Sequence, residues 1–189
     1  MAKIVLIIGG ARSGKSRYAV ELARKKAEKV LFVATAEVGD EEMRQRIEEH
    51  KKARPATWRT LEVQIDVGKR IQQELGDAAV VIVDCIALLV NNVLSRQYSV
   101  NNHTKRPKAI EKAVEDEING LIACFRQVEA NFIVVSNEVG TGIVPADEMS
   151  RLYRDLLGKA NQMLAQHADE VLMMVAGIPL RIKGNDSGQ

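Results

Sequence analysis

The run Gly9-Gly10-Ala11-Arg12-Ser13-Gly14-Lys15-Ser16 has the residue types and spacing to hold a polyphosphate. Gly9, Gly14, Lys15 and Ser16 fill the fixed positions of a G-x-x-x-x-G-K-[ST] phosphate loop. Glycines let the backbone curl with its N–H groups inward, and a helix starting behind them adds a field that favours an anion. Lys15 is then placed to reach the β/γ-phosphates and the Ser16 hydroxyl to ligate Mg²⁺. A second candidate is Asp84, which ends the run Val80-Val81-Ile82-Val83 in the Walker B manner. A carboxylate there holds Mg²⁺ or orients the attacking group. The third is His50, flanked by Arg46, Lys51, Lys52 and Arg54. Two readings of it stand: a histidine in a last helical turn among solvated charges, or a nucleophile or base beside a polyphosphate.

These residues need a frame. Ile4 to Ile8, Val30 to Ala34, Val80 to Val83, Phe132 to Val135 and Glu170 to Val175 are short apolar runs that predict buried strands. Helical patterns follow Ser16, cover Asp40–Arg54 and Ile65–Leu75, and extend over 86–94, 109–129 and 150–167. Trp58 to Glu62 reads as a short extended segment, with Trp58 a packing residue, and Pro179 to Lys183 as a partner at the sheet edge. The polar stretch 95–107, containing His103, reads as an exposed irregular loop. His167 falls in a last helical turn, where capping is its expected role. Strands alternating with helices, without repeat or linker, predict one α/β domain over 1–184 with a largely parallel sheet and a disordered tail at 185–189. Residues just past a strand's carboxyl end face the ligand crevice in such sheets, which makes Thr35 and Ala36 candidates. The segment Ser136 to Pro145, with Gly140 and Gly142, is a second loop of this kind.

Composition narrows the classes. A chain of 189 residues with 46% hydrophobic and 28% charged residues is ordinary for a globular domain. Net charge is +2 and aromatics are 4%, so no basic stripe with interleaved aromatics points to nucleic acid. The longest apolar stretch, 78–90, is interrupted by Asp84 and too short to span a bilayer. Cys85 and Cys124 lack metal-ligand spacing and read as buried thiols. With no secretory pattern at Met1-Ala2-Lys3, a reduced cytoplasmic setting is expected.

Several segments then coincide, in order, with one family. They are the phosphate loop, Ala34-Thr35-Ala36, Arg46-Ile47 with His50 and Arg54-Pro55, Trp58-Arg59-Thr60, and Asn137-Glu138-Val139-Gly140 with Gly142-Ile143-Val144-Pro145. From Lys3 to Lys183 the chain resembles the bifunctional adenosylcobinamide kinase/adenosylcobinamide-phosphate guanylyltransferases of cobalamin biosynthesis. The resemblance implies a RecA-like P-loop NTPase fold, a homotrimer, and ATP, GTP and Mg²⁺ as nucleotides and metal. It implies phosphorylation of the aminopropanol hydroxyl of adenosylcobinamide, then guanylylation of that phosphate through a GMP-histidine. His50 matches the position of that histidine. Carried over in the same way, Ala34, Thr35, Ala36, Lys51, Lys52, Ala53, Arg54, Glu62 and Asp84 would contact GTP. Asp84 stands where Glu also occurs in the family, which alters reach but not charge. Two other readings of the motifs are a small-molecule kinase that transfers only γ-phosphate, and a nucleotide-binding regulatory module.

Overall fold

The computed structural model describes residues 2–36, 51, 54–100 and 107–184. Among the described residues, seven strands form one sheet: β1 (Ile4–Gly9), β2 (Val30–Ala34), β3 (Arg59–Glu62), β4 (Val80–Asp84), β5 (Asn131–Val135), β6 (Glu170–Val175) and β7 (Ile178–Lys183), in spatial order β3-β2-β4-β5-β1-β6-β7. Every neighbouring pair from β3 to β6 is parallel, and β7 returns antiparallel along β6. Continuous β-branched runs suit strands covered on both faces, and Val80 to Val83 are wholly buried. The sheet with its phosphate loop behind β1 is the α/β P-loop architecture expected from the sequence. The strand order, which the sequence did not yield, puts β5 at the centre, between β1 and the strand carrying Asp84.

The described residues cover the two faces unequally. Among the described residues, α1 (Lys15–Lys26) lies on one face, where Ala19 and Ala23, both fully buried, let it approach Val5, Ile7, Ile82 and Ile133 closely. Trp58 belongs to the same cluster, in the packing role expected of it. The other face carries α2 (Val67–Glu74), α3 (Ile86–Val100), α4 (Pro107–Gln127) and α5 (Glu148–His167). Ile110, Ile118, Leu121 and Leu157 pack there against Leu6, Val83 and Val134, and the rings of Phe125 and Phe132 meet with centroids 4.5 Å apart. Each such side chain contributes about 1.5–3 kcal/mol on burial, so the loops at the sheet's carboxyl edge stand on a rigid base.

Helix ends follow local chemistry. Asp147 caps α5 by accepting from the Ser150 amide at 2.8 Å, one turn before the start expected at Ser150. No side chain of its own caps α2; Glu117 on α4 accepts from the amides of Asp66 (2.8 Å) and Val67 (2.9 Å) instead. The expectation of an irregular loop from residue 95 is corrected: α3 continues to Val100. Ser95 to Ser99 have few apolar anchors, but the helix propagates past its packed part, with the Ser99 hydroxyl donating to the Ser95 carbonyl at 3.0 Å. His103, the tail at 185–189 and all but Lys51 and Arg54 of the 40–54 helix lie outside the described residues.

Candidate nucleotide site

The phosphate loop leaves β1 at Gly9, whose φ of 153° and neighbouring Met174 carbonyl exclude a side chain. Gly14, at φ 92°, turns the chain into α1 and leaves that helix without a side-chain cap. No acidic residue occupies the first turn. The first amides of α1 are therefore uncommitted and face an anion site. The Ser13 hydroxyl is buried with no hydrogen-bond partner among the described residues, as expected of a group that a ligand completes. Two backbone bonds brace the loop from outside: Gly177 N–H donates to the Ser13 carbonyl at 3.0 Å and Glu138 N–H to the Gly9 carbonyl at 2.9 Å. Gly10, Ala11 and Arg12 are exposed, and Ser16 is half-buried.

Lys15 is only 7% exposed, and its ammonium donates to the Gly10 carbonyl at 2.6 Å. Burial lowers its pKa from the ordinary lysine value, opposed by Cys85 and Asp84 nearby. A buried cation held in this way is electrostatically unsatisfied until an anion arrives. The Cys85 thiol is pushed up to about 12 by burial, with the Asp84 charge in the same sense, and is protonated at neutral pH.

From this loop the carboxyl edge of the sheet runs outward on one rung. Ile7 is level with Val135, Val135 with Asp84, Asp84 with Ala34, and Ala34 with Glu62. Four strand spacings separate β1 from β3, about 19 Å. Arg54 lies along this edge with its guanidinium carbon 3.4 Å from the Phe32 ring centroid, a cation–π contact. Burial lowers the Arg54 pKa, against the charges of Asp84 and Glu62. Its Nε and Nη1 are buried without hydrogen-bond partners among the described residues. Lys51 pairs with Glu62 at 3.0 Å. Charges thus alternate along the edge: Lys15, Asp84, Arg54, Glu62, Lys51. Lys51, Arg54, Pro55, Ala56, Trp58, Thr60 and Glu62 line a cleft of about 530 Å³ at its outer end.

The structure brings the loop residues, Asp84, Arg54, Glu62 and Lys51 to this edge, with Ala34 and Ala36 half-buried beside them. His50, Lys52 and Ala53 lie outside the described residues. Thr35 differs from the reading of a residue facing the crevice. It is fully buried, and its hydroxyl donates to the Cys85 carbonyl (2.7 Å) and accepts from the Cys85 amide (2.8 Å). Its carbonyl accepts from Asn92 at 2.8 Å. Thr35 ties two strand exits together, so its polar atoms are spent inside the protein. His167 accepts from Arg126 at 3.3 Å at the end of α5.

Two asparagines escaped the sequence reading. Asn92 on α3 donates to the carbonyls of Thr35 and Gln64 (2.8 and 3.1 Å), joining the exits of β2 and β3. Asn161 on α5 accepts from the buried Ser136 hydroxyl at 2.6 Å and donates to the Asn137 carbonyl at 3.0 Å. The available signal was a polar residue on an apolar stripe, with Leu157 four residues before Asn161 and Leu164 three after.

A family model described as cobinamide kinase / cobinamide phosphate guanyltransferase matches residues 5–182. The chain belongs to this family. It is 41% identical over 181 residues to the bifunctional adenosylcobalamin biosynthesis protein CobU of Salmonella typhimurium, covering 95% of this chain and 99% of that one. The CobU protein of Escherichia coli is 39% identical, with the same coverage. The CobP protein of Pseudomonas aeruginosa is 38% identical over 179 residues, 95% of this chain and 96% of that one. Among solved structures, that of the RadB recombinase is similar with a TM-score of 0.47 and 16% identity, over 90% of this chain and 73% of that one.

In this member of the cobinamide kinase / cobinamide phosphate guanyltransferase family, Ser16 and Asp84 are hard oxygen donors. They fit Mg²⁺, which takes one or two protein ligands and completes its shell with phosphates and water. Among the described residues, no cluster of three or more His, Cys, Asp or Glu could hold a metal unaided. No helix among them is long and apolar enough to cross a membrane.

Proposed function

We propose that this chain phosphorylates adenosylcobinamide with a nucleoside triphosphate, ATP or GTP. It then transfers GMP from GTP to the resulting phosphate through His50, giving adenosylcobinamide-GDP. The observation that carries this reading is the charged carboxyl edge. It runs from the phosphate loop to Lys51, the residue next to His50 in the chain.

In the first reaction the α1 amides and Lys15 hold the β- and γ-phosphates while the acceptor hydroxyl attacks the γ-phosphorus. Ser16 and Asp84 would hold Mg²⁺, which supplies charge neutralisation on the phosphates when bound. In the second, neutral His50 attacks the α-phosphorus of GTP, the bond to the β-phosphate oxygen breaks, and pyrophosphate leaves. The phosphate of adenosylcobinamide phosphate then attacks the phosphoramidate and releases the imidazole. One difficult displacement becomes two easier ones. The positive charges of Lys51, Lys52 and Arg54 attract the triphosphate. Arg54, Glu62 and the cleft they line suit the nucleoside end of GTP, with Ala34, Ala36 and Lys51 along the same edge. The reaction belongs in the cytoplasm.

The working form is a homotrimer, a reading supported by β7. Ile178, Leu180 and Ile182 are 69%, 59% and 57% exposed on alternate positions of that edge strand. Val175, directly paired with Ile178, extends the strip.

The test is to assay both reactions separately in Lys15→Ala, with products identified by mass spectrometry. Both rates fall by about a hundredfold or more, the scale of losing one preorganised charge on transferring phosphates. Kinase turnover at the wild-type rate contradicts the shared loop.

A further inference from the structure

The loop joining β5 to α5 is pinned at both ends and apolar at its tip. At its root, Ser136 and Asn137 are held by the buried Asn161, and Glu138 N–H donates to the Gly9 carbonyl at 2.9 Å. The Glu138 carboxylate accepts from the Gly140 amide at 2.6 Å. At the far end the Arg151 guanidinium donates to the carbonyls of Pro145 and Ala146, at 2.9 and 2.6 Å. Between these anchors Ile143 is 96% exposed and Val144 61% exposed. Two β-branched side chains on a tethered loop are presented to solvent by the backbone, and exposed apolar groups of that kind mark binding surfaces.

Position names the occupant. The loop starts with a hydrogen bond to the first residue of the phosphate loop, and β5 lies between β1, which feeds that loop, and β4, which carries Asp84. A phosphoryl acceptor must bring its hydroxyl in line with the γ-phosphorus. Cobinamide carries that hydroxyl on a short aminopropanol arm, and its corrin macrocycle is too broad to enter a loop sized for phosphates. The macrocycle must therefore rest on the rim within one arm's length of the γ-phosphate. Its periphery carries methyl groups between amide side chains, and the methyl groups match Ile143 and Val144 in chemistry.

We propose that Ile143 and Val144 form the docking surface for the corrin ring of the phosphoryl acceptor, fixing acceptor specificity without touching the nucleotide. The inference rests on the kinase reading above. The test is steady-state kinetics of the full-length Ile143→Ser/Val144→Ser variant against adenosylcobinamide and ATP, with sedimentation of the same preparations. The KM for adenosylcobinamide rises on the order of tenfold or more, the scale of losing two buried aliphatic contacts. The KM for ATP and kcat at saturating acceptor are unchanged, and Ile143→Leu/Val144→Leu keeps the wild-type acceptor KM. An unchanged acceptor KM in the serine variant overturns the proposal. So does a drop in particle mass, which assigns the tip to contact between copies of the chain. Wild-type protein inert toward adenosylcobinamide refutes the kinase reading, and this proposal falls with it.

Discussion

Thr35 satisfies both backbone polar groups of Cys85 with one hydroxyl, directly behind the Asp84 carboxylate. Thr35→Val keeps the volume and removes both bonds, leaving the Cys85 N–H unpaired while the Cys85 carbonyl still accepts from the Leu89 amide at 3.2 Å. The cost is about 1–3 kcal/mol, read as a lower urea midpoint at unchanged slope, whereas an unchanged midpoint contradicts the bridging role. This residue also marks where sequence reading stops. The phosphate loop was legible because its chemistry is contiguous in the chain, and Asp84 because its strand pattern is. Thr35 sits at a strand exit in either role, and only the neighbouring strand decides whether its hydroxyl turns inward or toward a ligand. Asn161 and Asn92 were obscure for the same reason, since their partners are 24 or more residues away in sequence.

At the level of elements, every sheet strand expected from an apolar run formed, because such runs bury on both faces whatever their neighbours. Helix extents were less legible. The last turns of α3 pack little, so apolar periodicity fades there while the backbone continues to Val100. The cap of α2 comes from Glu117 on another helix, which no local pattern reveals. The strand β7 carries the element-scale prediction. Its apolar strip, Ile178, Leu180 and Ile182, is an exposed face alternating with Pro179, Arg181 and Lys183, and contiguous exposed apolar groups mark contact surfaces. Sedimentation equilibrium is expected to give three times the 20.9 kDa chain mass for the wild type. Ile178→Asp/Leu180→Asp is expected to give the single-chain mass, and a monomeric wild type contradicts the trimer.

At the scale of the whole molecule, the described residues pack heavily on one face of the sheet and thinly on the other, and charged side chains gather along its carboxyl edge. The phosphate loop leaves β1, next to the central strand, and the Lys51–Glu62 pair lies about 19 Å away. An extended nucleoside triphosphate can lie along that edge, phosphates on the loop and nucleoside toward the Arg54 cleft. The position of β5 at the sheet's centre, and of β1 beside it, came from the structure alone, because strand order follows from long-range pairing that apolar runs do not encode.

The most direct test is a pulse with GTP labelled in its α-phosphate, followed by a chase with adenosylcobinamide phosphate. The protein should take up acid-labile label, release it into adenosylcobinamide-GDP on the chase, and take up none as His50→Ala. Label that persists on the His50→Ala protein, or that the chase does not discharge, contradicts transfer through this histidine.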